Sequence, residues 1–287
     1  MSALSWDERP ADLRDPVMVA AFGGWNDAGA SASSAVGVLG DRLGARRVAA
    51  IDPEEFYDFQ ATRPLVDLTS TGSSPIVWPE VEVMVARPAD APRDLVLVSG
   101  AEPSFRWRAF SRLLLEAADA LGVGRVVTMG SLLADVVHTH PIRLTGMASD
   151  PALIADLGFR EPSYAGPTGI VGVLHQAAVE NGREAVSLWA PVSHYAAGLT
   201  NAKGSLALLR ALERVSGLRL DLTDLEDAAR AFEGQVTRAV DAEPRLRGLV
   251  DQLEQAVDEA GEQGPLPTGD ELAEELERYL RERDDPA

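Results

Sequence analysis

The sequence predicts an α/β protein whose parallel core is followed by a helical C-terminal extension. Short continuous apolar runs recur through the first two thirds of the chain, and a glycine-bearing loop and a helical pattern follow most of them. Strands of this composition are typical of sheets buried on both faces. From Ala202 onward only helical patterns follow. The chain has 287 residues, 46% of them hydrophobic, and is long enough to bury a full core.

Five apolar runs predict the core strands. In chain order they cover residues 16–22, 47–52, 95–99, 125–129 and 185–191. Alternation of strands with helices implies parallel pairing through right-handed crossovers. Because parallel strands end at the same edge of their sheet, we expect the loops that follow these strands to share one edge, where ligands gather in such folds.

Apolar residues at helical spacing predict the helices. They cover residues 28–43, 107–121 and 170–180, then a helix from Ala202, and finally 224–238, 245–260 and 269–283. Turn residues and an alternating stretch around Pro79 predict a hairpin within residues 63–88. We therefore expect an α/β core domain over residues 1–217 and an acidic helical extension over 218–287, which either folds over the core as a lid or contacts another protein.

Composition excludes several classes of function. The formal net charge is −19 without a segregated basic patch, so nucleic acid is not an expected partner. No apolar stretch reaches the ~18 residues needed to span a membrane, and the N-terminus is acidic, so we expect neither a membrane partner nor secretion. There is no cysteine, which excludes disulfides and thiolate chemistry and suits the cytoplasm.

Two loops near the start of the chain carry candidate ligand-binding residues. Gly24, Trp25, Asn26 and Asp27 follow the first strand, where backbone N–H groups could receive an anion. The alternative is a tight turn in which Asn26 or Asp27 caps the next helix.

The loop after residue 99 holds Glu102 and Arg106. They would act as an acid/base group with a guanidinium clamp, or simply form an ion pair with each other.

The loop at residues 130–141 is the densest polar cluster, with Ser131, Asp135, His138 and His140. If residues 136–140 are extended, the two histidines point the same way, as in a metal half-site. We predict no metal and no cofactor, because no HExxH or thiolate pattern is present. A Ser131–Asp135–histidine relay and plain backbone hydrogen bonding by the histidines are the other interpretations. His194, after the last core strand, either joins the same crevice or is a hydrogen-bonded loop residue.

Several runs taken together resemble the proteasome assembly chaperone 2 family. They are AFGGWNDAG, GAEPSFRW, THP near residue 140, GPTGIVGVL and NAKGSLALLRAL, between residues 16 and 216. The resemblance implies a three-layer α/β/α sandwich similar to phosphorylases and some hydrolases. The acidic extension resembles that of actinobacterial members, whose role is unknown and which are similar to trimeric proteins with a helical lid. Some relatives dock through a C-terminal hydrophobic-Tyr-X tail, which the final residues, Arg283–Ala287, do not match.

Two hypotheses from different classes follow, the first from the resemblance and the second from the polar loops at the expected strand-end cleft. In the first, the chain is a proteasome-assembly-chaperone-like interaction protein, a homo-oligomer (a trimer by resemblance) with proteasome subunits as partners and the 63–88 hairpin as its oligomer arm. In the second, it is a hydrolase or phosphorylase-like enzyme, or a binding protein, for a small polar or anionic molecule. The second requires Asn26, Asp27, Glu102 and Arg106 to converge with His138 or His140. The sequence does not decide whether the protein is an enzyme, and no catalytic residue carries over from the family.

Overall fold

The computed structural model describes residues 3–66, 75–150, 153–154, 157, 159 and 164–260. Within them, eight strands form one mixed sheet: β1 (Leu4–Trp6), β2 (Val17–Gly23), β3 (Arg46–Ile51), β4 (Val81–Ala86), β5 (Leu95–Ala101), β6 (Arg125–Ala134), β7 (Thr145–Ala148) and β8 (Glu184–Ser193). The helices are α1 (Ser31–Leu43), α2 (Trp107–Ala120), α3 (Ile170–Glu180), α4 (Ala202–Ser216), α5 (Thr223–Ala242) and α6 (Pro244–Ala260). The predicted helix at 269–283 lies outside the described residues.

The sheet order is β1-β3-β4-β5-β2-β6-β8-β7. β2 pairs in parallel with β5 and β6, and β6 pairs in parallel with β8. β3 runs in the same direction as these four strands, because two successive antiparallel pairings through β4 connect it to β5. All five predicted core strands therefore lie in one sheet and end at the same edge, which confirms that prediction. We call this edge the carboxyl edge.

Helices cover both faces of the sheet, which confirms the three-layer α/β/α sandwich. Alternation along β2 shows the two layers: Met18 and Phe22 pack toward α2 and α3, whereas Val17 and Val19 pack toward α1 and α4. Successive side chains of a strand point to opposite faces, so an unbroken apolar run is what a strand between two helix layers requires.

Three sequence-based expectations about the sheet are wrong in detail. β3 does not pair with β2, because β4 and β5 stand between them. Part of the expected 63–88 hairpin is β4 itself, whose alternating side chains fill a central position in the sheet. What remains of the hairpin is a short arm, residues 63–66 and 75–80, joined by an antiparallel bridge between Leu65 and Val77. The expected set also lacked both edge strands, β1 and β7.

The last two described helices pack on the α/β core rather than away from it. α5 lies against α4, and the pair α5–α6 covers the loops that follow β6 and β8 through a small apolar cluster. Phe232 and Val236 of α5, Val250 of α6 and Val137 of the loop after β6 form its centre. Leu246 and Leu253 of α6 pack against the same cluster, so the apolar side of the described part of this helix contacts the rest of the chain. Among the described helices, none is long and apolar enough to cross a membrane.

Candidate functional site

The carboxyl edge brings together the four loops singled out in the sequence. They follow β2, β5, β6 and β8. The first three lie side by side, because the Glu102 N–H donates to the Gly23 carbonyl oxygen at 2.8 Å and Ser131 pairs with Asp27. β6 extends to Ala134, so Ser131 lies in this strand and not in the loop predicted at 130–141. The Ser131 N–H donates to the Asn26 carbonyl oxygen at 2.8 Å. The hydrogen bonds at this edge divide the candidate residues into separate groups.

The first group centres on the Glu102 carboxylate, which accepts three hydrogen bonds. Asn26 Nδ2 and the Ile170 N–H donate to Oε1 at 2.8 and 2.9 Å, and the Trp25 N–H donates to Oε2 at 3.2 Å. Ile170 is the first residue of α3, so the carboxylate also lies at the positive end of that helix dipole. Glu102 thus ties the loops after β2 and β5 to the start of α3.

Close backbone approach makes two glycines necessary in this group. A Cβ on Gly169 would lie 1.8 Å from Asn26 Nδ2 and 2.6 Å from Glu102 Oε1. Gly24 has a φ of +150°, and a Cβ there would lie 2.9 Å from Glu102 Cβ. Asn26 is only 2% exposed, and its Oδ1 has no hydrogen-bond partner within the described part of the chain.

The second group consists of Asp27 and Ser131, whose side chains contact each other where β2 leads into α1. Asp27 Oδ1 accepts from the N–H groups of Ala32 at 2.8 Å and Ser33 at 3.2 Å, so Asp27 caps α1. Ser131 is fully buried, and its Oγ donates to the Ala28 carbonyl at 2.9 Å. Both side chains stabilise the strand-to-helix turn, and a substrate could not reach the serine oxygen without opening it.

Arg106 points away from Glu102. Its guanidinium pairs with Glu55, from the connection between β3 and β4, and both side chains are more than half exposed. The expected ion pair with Glu102 is therefore wrong. The backbone explains the direction, because Arg106 has a left-handed φ of 56° and the N–H groups of Ser104 and Phe105 both donate to the Phe56 carbonyl. These bonds turn the loop toward the β3–β4 connection.

A third group surrounds His138, beneath α5. Residues 137–140 form a turn instead of the extended stretch needed for the two histidines to point the same way. The His138 ring contacts Tyr195 Oη through Nδ1 at 2.9 Å and Thr237 Oγ1 through Nε2 at 3.0 Å. Because Thr237 Oγ1 already donates to the Glu233 carbonyl, Nε2 carries the proton and donates. His138 therefore connects two loops to α5.

Burial sets the protonation of this histidine. It is 6% exposed, and desolvation lowers the pKa of His138, with Lys203 acting in the same direction and Glu233 opposing it. Lys203 Nζ donates to the His138 carbonyl at 2.6 Å and pairs with Glu233 of α5. The neutral imidazole is the form that fits between two hydroxyl groups.

Asp135 and His194 form a separate pair, with Oδ1 and Nδ1 3.0 Å apart. They join the loop after β6 to the turn after β8. His140 is half-buried, and its N–H donates to the Val137 carbonyl. The ligand-binding role of the candidate residues stays a prediction.

The sequence singled out Trp25 but not Tyr195, Thr237, Gly169 or the other exposed loop aromatics, Trp78 and Phe105. A signal existed only for these two aromatics, because they stand in loops, where a buried position is rare.

Comparison with known proteins assigns the chain to a family. The model of the PAC2 family matches residues 21–240, which include every residue of the three groups. The chain belongs to the PAC2 family. The expected resemblance to proteasome assembly chaperone 2 proteins is thereby confirmed. Among curated proteins none matches the chain.

Solved structures agree with this assignment. A PAC2 family protein from Streptomyces avermitilis is 46% identical, with a TM-score of 0.75 over 82% of this chain and 100% of that one. A proteasome-assembly chaperone homologue from Mycobacterium tuberculosis is 40% identical, with a TM-score of 0.75 over 82% of this chain and 99% of that one. An archaeal proteasome activator from Pyrococcus furiosus, 22% identical over 83% of this chain and 98% of that one, shares the fold at a TM-score of 0.68.

Proposed function

We propose that this PAC2 family member is a proteasome-assembly-chaperone-like interaction protein of an actinobacterial cytoplasm, which binds proteasome subunits through its carboxyl edge. The M. tuberculosis relative, at 40% identity, is a proteasome-assembly chaperone homologue, and the P. furiosus protein of the same fold is a proteasome activator. Both names support a protein partner instead of a small substrate. Neither a membrane nor nucleic acid is a proposed partner.

The distribution of exposed apolar side chains carries this proposal. Every large hydrophobic residue that is strongly exposed in the described part of the chain lies in a segment at the carboxyl edge: Trp25, Leu65, Val66, Ile76, Val77, Trp78, Phe105, Leu133 and Tyr164. We call these nine residues the apolar edge. Apolar side chains concentrated at one end of a molecule with a net charge of −19 are typical of a protein-binding surface.

The apolar edge divides naturally between two kinds of contact. Five of its residues lie on the arm between β3 and β4, where Trp78 packs edge-on against Phe59 at 4.9 Å. We assign the arm to contacts between copies of this chain in a homo-oligomer, with a trimer as the expected state. Trp25 and Phe105, on the loops after β2 and β5, are then left for the proteasome subunit.

The alternative enzyme function gains no support from the geometry. A hydrolase or phosphorylase-like reaction needs its acid, base and anion-binding groups around one reacting atom. Glu102 is occupied by three donors, Arg106 pairs with Glu55, and His138 lies under α5. No observation favours turnover of a small polar or anionic molecule at this edge.

Binding to purified proteasome subunits of the same organism tests the proposal. The double variant Trp25→Ser/Phe105→Ser should weaken the complex at least tenfold in surface plasmon resonance, because exposed aromatic side chains supply most of the energy of such contacts. The arm variant Ile76→Ser/Val77→Ser should instead shift the oligomer to monomer in light scattering.

Arg112→Ser, an exposed substitution on α2 away from the carboxyl edge, is the control and should change neither measurement. Binding that is equally strong in the loop variant and the control would refute the assignment of Trp25 and Phe105. A wild-type chain that binds no proteasome subunit would refute the function itself.

A further inference from the structure

The chain carries a single lysine, Lys203, and every other basic residue among its 26 is an arginine. The difference matters chemically, because a guanidinium group stays protonated in proteins, whereas a lysine amine can lose its proton and act as a nucleophile. Lysine is for that reason the usual side-chain target of acyl transfer. A reagent or enzyme that acylates side-chain amines therefore has one possible address in this molecule.

Contacts with two other elements hold this amine in place. Lys203 stands in the first turn of α4, and its side chain is 17% exposed. Its Nζ donates to the His138 carbonyl oxygen at 2.6 Å and pairs with the Glu233 carboxylate of α5. Nucleophilic attack needs the lone pair of the amine directed at the reagent, which requires that both contacts break. The packed structure therefore protects Lys203 from acylation.

The helix itself does not account for a positive charge at this position. A cation in the first turn of a helix is opposed by the helix dipole, and the Asn201 side chain already caps α4 by accepting from the Gly204 N–H at 2.9 Å. The charge of Lys203 thus serves the contacts with the loop after β6 and with α5. Loss of that charge should leave α4 intact.

The element that covers Lys203 is a helical hairpin at the periphery of the molecule. α5 and α6 are joined by a single residue and pack on each other. Phe232, which precedes Glu233, lies in the small apolar cluster beneath this hairpin, and Thr237 accepts from the His138 ring one turn further along α5. Local opening of a peripheral unit needs less free energy than unfolding of the sandwich. Each opening removes Glu233 from the amine.

We propose that Lys203 is an acylation site that the α5–α6 hairpin gates, and that acylation in turn weakens the docking of this hairpin. In the reaction, Nζ attacks the carbonyl carbon of an activated acyl donor. The amide C–N bond forms, the leaving group departs with the electron pair of its bond to the acyl carbon, and the displaced proton of Nζ passes to water. The proposal goes beyond the proposed function, because it concerns neither the apolar edge nor a proteasome subunit.

Acylation changes the contacts of Lys203 in two ways. The amide is neutral, so Glu233 loses the only charged partner that it has within the described residues. The amide nitrogen also keeps a single hydrogen and can serve only one of the two acceptors that share the ammonium group. Both losses fall on the closed state, whereas in the open state Glu233 is hydrated. Opening therefore favours acylation, and acylation favours opening.

Competition between two amines in one chain measures the protection. The full-length variant Arg112→Lys carries a second lysine at an exposed position of α2. It is treated with N-hydroxysulfosuccinimidyl acetate, and acetylation at positions 112 and 203 is followed over time by peptide mass spectrometry. Position 112 should react at least tenfold faster than Lys203. Equal rates would show that the amine is reached without opening, and would overturn the proposal.

Loosening the hairpin should reduce this difference. Phe232→Ala and Glu233→Gln, each added to Arg112→Lys, weaken its docking through the apolar cluster and through the ion pair respectively. Each should raise the acetylation rate of Lys203 at least threefold relative to position 112. An unchanged ratio in Phe232→Ala, with circular dichroism like that of the parent, would overturn the gating role. If Phe232→Ala unfolds the protein, Val236→Ala in the same cluster takes its place.

Hydrogen exchange measures the reverse effect. Lys203→Gln imitates the neutral acylated side chain and should make the amide hydrogens of residues 223–260 exchange with deuterium at least threefold faster, while those of β2 and β5 are unchanged. Arg112→Gln removes an exposed positive charge and should alter neither region. Exchange of residues 223–260 at the parent rate in Lys203→Gln would overturn the proposed effect of acylation on the hairpin.

Discussion

Replacing Glu102 by alanine should destabilise the fold by about 1–4 kcal/mol. The estimate starts from Asn26, whose side chain is 2% exposed and whose amide N–H donates to Glu102 Oε1. A buried donor left without its acceptor costs about 1–3 kcal/mol. Loss of the carboxylate at the N-terminus of α3 adds about 0.3–1 kcal/mol. In a chain of this size, the melting temperature should fall by roughly 3–15 °C.

Urea unfolding followed by circular dichroism, at one fixed protein concentration, measures this change. Glu55→Ala is the matched control, because it removes a carboxylate from the same edge whose only charged partner in the described residues is the exposed Arg106. That variant should lie within about 0.5 kcal/mol of the parent. If Glu102→Ala and Glu55→Ala destabilise the protein equally, then Glu102 does not organise the three loops, and the reasoning fails.

Three further predictions use the same unfolding assay. Gly169→Ala should lower the free energy of unfolding by several kcal/mol, because its methyl group would overlap a buried amide nitrogen 1.8 Å away. Gly37→Ala in α1 is the control; open space surrounds it, so it should be neutral or stabilise the protein by up to ~1 kcal/mol. Equal effects of the two substitutions would contradict the close approach at Gly169. Burial lowers the pKa of His138 below 6.5, so its contribution to the free energy of unfolding should be fully present above that pH and be lost as the pH decreases. His138→Gln should reduce the dependence of the unfolding free energy on pH between pH 7 and 5.5 by up to ~1.4 kcal/mol per pH unit. An unchanged pH dependence in this variant would contradict the assignment. Asp94→Asn should cost about 2–3 kcal/mol, since fully buried Asp94 accepts three bonds from Arg14, and a loss below 0.5 kcal/mol would contradict that role.

The core of the sheet could be predicted from the sequence because its strands lie between two helix layers. A strand such as β2 must be apolar at every position, and few other short elements share that pattern. β1 and β7 have three and four residues, with too few side chains to show a period. β4 alternates and follows Pro79, so it resembled a solvent-exposed hairpin although it lies in the middle of the sheet.

The sequence predicted where the candidate site lies, but not which side chains contact each other there. Strand direction fixes which loops share an edge, so the neighbourhood of Asn26 and Glu102 followed from the core strands. Individual partners did not follow, because Arg106 pairs with a residue 51 positions away and the His138 ring contacts Thr237, 99 positions away. Contacts of that range depend on register and crossover geometry, which no local pattern encodes.

Among the described side chains, the two main clusters hold many apolar ones, whereas the α5–α6 hairpin buries only six of its own: Leu225, Ala229, Phe232, Val236, Val240 and Val250. A unit held by so small an interface can detach while the sandwich stays folded. Amide hydrogens of residues 223–260 should therefore exchange with deuterium well before those of β2 and β5. Each such opening would expose His138 and the loop around it to water. The chain would then contain two units that unfold separately, the α5–α6 hairpin and the sandwich.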